Sequence, residues 1–152
     1  MERTIVIHME EKEIEIPVKP SMASLALYRS EFNSDLIRDL NKAYQSLHPD
    51  PFTDAMKRAN IRPGQMSQED MAKVLLENVD YTLLNGENML PDGETQINAM
   101  RIVWAMAKAA NKELASFDEW IGSFDMLPIR ELVDRCNEIW TTANRVTVDL
   151  KN

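Results

Sequence analysis

One segment, ETQINAMRIVWAMAKAANK at residues 94–112, constrains this chain more than any other. Glu94, Asn98, Arg101, Lys108 and Lys112 make a narrow polar stripe at helical spacing. Ile97, Met100, Val103, Trp104, Met106, Ala107 and Ala110 cover most of the remaining circumference. A helix apolar over so much of its surface must be covered from several sides, which places it at the centre of a bundle. Met100 and Met106 are therefore expected in the core. The covering elements have to come from the flanking sequence.

Several amphipathic segments can supply the cover. Ser21 can cap a helix carrying Leu25, Ala26, Tyr28 and Arg29. Asn33 or Ser34 can cap the next one, in which Leu36, Ile37, Leu40, Ala43, Tyr44 and Leu47 share one face. Asp35, Arg38, Asp39 and Lys42 take the opposite face. Ser116 and Glu119 have the spacing of a capping box and open a short helix with Phe117, Trp120 and Ile121. Pro128 suits a first helical position. Behind it Ile129, Leu132, Val133, Cys136, Ile139, Trp140 and Ala143 repeat as a single apolar stripe. Between these groups the chain is less regular. HPDPFTDAMKRANIRPGQM, residues 48–66, has three prolines and a Pro-Gly and reads as loop. Within it, DAMKRA could hold a helical turn. Ser67 and Asp70 then resemble a capping box ahead of Met71, Val74, Leu75 and Val79. NGENMLPDGE is a second break.

The N-terminus has a different period. Ile5, Ile7 and Met9 share one parity; Ile14, Ile16 and Val18 share another. β-Branched residues at period two predict two strands, and the short link predicts an antiparallel hairpin. Pro17 and Pro20 are expected to end the second strand. A lone hairpin is marginal in water, so it must pack on the helices. The expected fold is α+β: a mostly helical single domain with an N-terminal antiparallel β-hairpin packed on a helix bundle. Its parts are the hairpin (1–20), a helical elbow (21–47), a variable, loop-rich middle (48–96), a helical C-terminal part (97–143) and a tail (144–152). The tail, RVTVDLKN, has the weak alternation of a strand or of a frayed end.

A chain of 152 residues with 44% apolar residues can bury a core and has the length of one domain. The net charge of −8 disfavours nucleic acid and anionic membranes as partners. A single cysteine, Cys136, excludes an intrachain disulfide and a cysteine metal cluster. Its place on an apolar stripe marks it as a small buried hydrophobe. The first residues lack the apolar run of a signal peptide, and no run of apolar residues is long enough to span a bilayer, so a cytoplasmic protein is expected.

No catalytic pattern emerges. His8 falls in a strand and His48 in a loop, outside any metal-ligand spacing. Asp35/Asp39 and Asp118/Glu119 read as solvated or capping groups rather than an acid–base pair. Four glycines build neither a P-loop nor a dinucleotide fingerprint. Catalytic, cofactor and metal sites are therefore not expected. The ten methionines are more informative, because methionine serves adaptable binding surfaces as well as irregular cores. Met56, Met66, Met89 and Met126 fall in or beside expected loops and are the candidates for a partner-binding surface. Filling gaps between helices is the competing role for each.

Residues 1–47 and 97–143 together resemble the tail assembly chaperones of long-tailed phages and prophages of Gram-positive bacteria. The resemblance rests on an N-terminal hairpin followed by Ala23, Tyr28-Arg29, Phe32, Asp35 and Asp39-Leu40. It continues with Met106-Ala107-Lys108-Ala109-Ala110, with Ser116-Phe117-Asp118-Glu119-Trp120-Ile121, and with the closing Ile139-Trp140. Residues 48–96 have no counterpart in that pattern. The resemblance implies a non-enzymatic protein of the host cytoplasm, absent from the mature virion. It would bind and solubilise the tape measure protein and help recruit tail tube protein, with homo-oligomers possible. Tyr28, Phe32, Leu36 and Leu40 are then expected to clamp the elbow, with Arg29 paired to Asp35 or Asp39. Patterned apolar positions usually mean core, so Tyr28, Arg29, Phe32, Asp35, Asp39, Leu40, Trp120 and Trp140 are expected to hold the fold. The alternatives are a structural minor tail or connector subunit, or a small regulatory protein that binds a host factor.

Overall fold

The computed structural model describes residues 1–62, 64, 66–80, 90–145 and 148–150. It is an α+β protein, mostly helical, with an N-terminal antiparallel hairpin packed against helices. The described residues gather into two compact units. One takes in residues 1–44 and 91–152, the other residues 45–90.

The first unit begins with β1 (Arg3–His8) and β2 (Glu13–Val18), paired so that Ile5 faces Ile16 and Ile7 faces Ile14. This register puts Ile5, Ile7, Ile16 and Val18 on one buried face, as period two requires. The Met9 N–H donates to the Lys12 carbonyl at 2.9 Å and closes the turn. Pro17 does not end β2, as expected from sequence, but lies inside it opposite Thr4. A two-stranded sheet has only edge strands, where a missing N–H is tolerated. The chain then anchors on the bundle, with the Lys19 N–H donating to the Met106 carbonyl at 2.9 Å.

Helix α1 (Met22–Phe32) opens with a reciprocal capping box between Ser21 and Ser24. It stops at Asn33, whose backbone is left-handed at φ 50°, ψ 42°. Asn33 therefore ends one helix rather than starting the next. Nor does Ser34 cap α2 (Leu36–Leu47). That role falls to Asp35, whose Oδ1 accepts the Arg38 N–H at 3.0 Å. Leu36, Leu40 and Ala43 are buried along one face of α2.

Helix α5 (Gly93–Ala110) is central, as its apolar circumference demands. It packs against β2, α1, α6 (Phe117–Ile121) and α7 (Ile129–Ala143). Every residue from Ile102 to Ala107 is buried, as are Ala99 and Met100. Asp92 caps α5 by accepting the Thr95 N–H at 2.8 Å, and Ser116 caps α6 by accepting the Glu119 N–H at 3.4 Å. The Trp104 indole donates to the Ala115 carbonyl at 3.0 Å, and Lys108 Nζ to the Lys112 and Leu114 carbonyls. Together they fix the α5–α6 turn. Pro128 sits just ahead of the first turn of α7, one position before that expected. On α7, Leu132, Val133, Cys136, Ile139 and Trp140 are buried together. Residues 148–150 have no regular structure, and Val148 and Leu150 are exposed.

In the second unit, α3 (Pro51–Arg58) occupies the stretch expected to be loop. Its start signals are an Asp50 cap that accepts the Phe52 N–H at 3.0 Å and a proline at N1. The same residue types mark turns, which explains the misreading. Helix α4 (Gln68–Asn78) begins as expected, with Ser67 Oγ accepting the Asp70 N–H at 3.2 Å. The two helices pack on each other, and α4 buries none of its residues fully.

Candidate functional site

The elbow motif forms a polar anchor inside an aromatic cluster. Tyr28 is fully buried, and its hydroxyl donates to Asp39 Oδ2 at 2.7 Å. The Ser34 hydroxyl donates to the same oxygen at 2.7 Å. Burial, followed by the Asp39 hydrogen bond and charge, pushes the Tyr28 phenol far above its ordinary value. It remains a donor throughout the physiological range. Arg29 does not pair with Asp35 or Asp39. Its side chain points to solvent, while Asp35 caps α2 and Asp39 is held by Tyr28 and Ser34.

Phe32 packs edge-on against Tyr28, Trp104 and Phe117, with centroid distances of 5.1, 5.7 and 5.2 Å. It reaches α5 and α6, beyond the elbow it was expected to clamp. The Arg101 guanidinium lies over its ring at 5.0 Å, which explains a cation beside the core on the stripe of α5. Trp120 is buried and packs edge-on against Phe124 at 4.7 Å. Leu40 and Trp140 are buried. Tyr28, Phe32, Asp39, Leu40, Trp120 and Trp140 thus all take part in packing or internal hydrogen bonds.

Of the candidate methionines, Met126 is two-thirds exposed, at 67%, on the segment between α6 and α7. It stands on the rim of an apolar groove of about 420 Å³. Met100 and Ile129, both buried, form the floor; Ile97, Phe124 and Leu127 line the walls. Ile97, on the apolar circumference of α5, is 41% exposed here. Among the described residues, Gln96 and Asp125 bring polar side chains to the lining. Met56 and Met66 are half-buried in the second unit, and Met89 lies outside the described residues.

Sequence reasoning singled out Met126 but not Gln96, Phe124 or Leu127. The available signal was FDML, three apolar residues around Asp125 without helical period, wedged between a short helix and a proline. Such a run cannot bury itself as an amphipathic face.

The groove has the chemistry of a contact surface, with apolar walls and two polar groups for orientation. Among the described residues no three His, Cys, Asp or Glu side chains gather to hold a metal ion. Burial pushes the Cys136 thiol up to about 12, which keeps it a protonated core group. No helix among the described residues is long and apolar enough to cross a membrane. Comparison with protein-family models, with curated proteins and with solved structures returns no match in any of the three.

Proposed function

We propose that this protein is a tail assembly chaperone, which binds the apolar helical faces of a tape measure protein before tail tube protein encloses them. The observation that carries the reading is the groove, where Met126 and Ile97 are exposed beside the buried Met100 and Ile129. An apolar groove edged by an adaptable methionine suits one face of an amphipathic client helix. The motif order from Tyr28 to Trp140 supports the same reading by resemblance, and its residues supply the scaffold that holds the groove's walls. The net charge of −8 would keep a complex with an apolar client in solution.

The test is co-expression with the tape measure protein encoded nearby, scoring soluble client with and without this chain. The client becomes soluble and co-purifies with the chain. Met126→Asp and Ile97→Asp, both at exposed positions, abolish co-purification while leaving the melting temperature within about 2 °C. A client that stays insoluble refutes the reading. Recovery of this protein from purified particles would favour a structural tail subunit instead.

A further inference from the structure

One stretch of the sequence has no role so far. In RVTVDLKN, Val146, Val148 and Leu150 share one parity and Thr147 and Asp149 the other, the alternation of a strand with one apolar face. Val148 is 89% and Leu150 94% exposed, so these two side chains have no cover in the single chain.

The hairpin has the complementary lack. Among the described residues β1 pairs only with β2. The Met9 N–H bonds the Lys12 carbonyl, and bonded and non-bonded pairs alternate along an antiparallel ladder. Ile7 with Ile14 and Ile5 with Ile16 are therefore bonded pairs, and Thr4, Val6 and His8 turn their N–H and C=O groups away from β2. On β2 the outward position opposite Thr4 is Pro17, which has no N–H, so that edge is protected. The sequence of β1 has no proline.

Two cavities of about 140 and 310 Å³ lie between this open edge and α7, and Val6 and Arg135 line both. One is lined by His8 and Pro128, the other by Arg3 and Thr142, so β1 and α7 run in opposite directions along a single trough. The buried Leu132 and Ile139 give it apolar surface. The tail leaves α7 at the Arg3 end, in a last turn where the Arg145 N–H bonds the Thr142 carbonyl. It continues with Val148 and Leu150 exposed rather than back along β1.

We infer that two copies of this chain associate by exchanging tails, residues 146–150 of each adding as a strand to the β1 edge of the other, in the trough beside α7. The exchanged stretch is as long as the edge from Thr4 to His8. Its backbone pairs with the outward groups of Thr4, Val6 and His8, and its apolar face gains the cover that the single chain does not give. The contact is the same in both directions, as a two-fold dimer requires, and both tails are buried at once. Arg145 and Lys151 flank Asp149, so the tail itself adds nothing to the acidic excess of the chain. The inference is independent of the chaperone reading and is tested without a client.

Sedimentation of the full chain is measured from micromolar to millimolar concentration, and the mass rises towards that of a dimer. Two variants divide the contact. Val148→Asp with Leu150→Asp spoils the tail and leaves the edge. Val6→Pro removes an outward N–H and leaves the bonds to β2 in place. All three positions are exposed, and melting temperatures within about 2 °C of wild type show that both variants fold. Each variant alone stays monomeric where the wild type is dimeric. Mixed, they form a heterodimer, because the intact tail of one fits the intact edge of the other. The inference is overturned if the wild type remains monomeric at millimolar concentration, if either variant dimerises as the wild type does, or if the mixture is no heavier than its parts. It is also overturned if the outward amides of β1 are protected in a monomer and lose that protection in the tail variant, since the chain's own tail then fills the trough.

Discussion

Removing one oxygen tests the elbow anchor. In Tyr28→Phe the ring remains, its contact with Phe32 at 5.1 Å is kept, and no cavity opens. What disappears is the donor 2.7 Å from Asp39 Oδ2. A hydrogen bond to a charged group contributes about 1.5–3 kcal/mol. Asp39 keeps its bond from Ser34 and is only half-buried, so water can solvate the vacated lone pair. The expected loss is therefore about 1.5–2 kcal/mol, at the lower end of that range. For a chain of this size it lowers the melting temperature by roughly 3–8 °C. Calorimetry of the wild type, Tyr28→Phe, Asp39→Ala and the double variant completes the cycle. In the Asp39→Ala background the second change should cost almost nothing. Additive losses, or a Tyr28→Phe melting temperature within about 1 °C of wild type, would refute the claim that this bond ties α1 to α2.

Three further outcomes follow from the same geometry. Asn33→Gly should be tolerated and Asn33→Val should cost about 1–2 kcal/mol, because only the β-branched residue resists φ 50°; urea denaturation compares them. The bonds from Thr95 hold the Asp92 carboxyl below its ordinary value, so its contribution to stability is present above the unfolded pKa and lost as pH falls through the folded one. Asp92→Asn should accordingly flatten the acid limb of the stability curve, measured by urea midpoints in the acid range. Cys136, fully buried and with its thiol raised to about 12, should react with a thiol reagent only at the rate of unfolding, and labelling should accelerate with urea.

Much of the framework was legible because its signals are local. The alternation of Ile5, Ile7, Ile14 and Ile16 fixes the hairpin, and the apolar circumference of residues 94–112 fixes the central helix. Caps were less legible. Asn33, Ser34 and Asp35 are all competent N-cap residues, and only Asp35 lies three positions before the N–H it accepts, at Arg38. Helix α3 was hidden because aspartate and proline open helices and turns alike. The partner of Arg29 was misassigned because charge adjacency in sequence does not say which acceptors are already used. The exposure of Ile97 has a related cause. Periodicity shows that a face is apolar, but it cannot show that the neighbouring segment leaves part of that face uncovered.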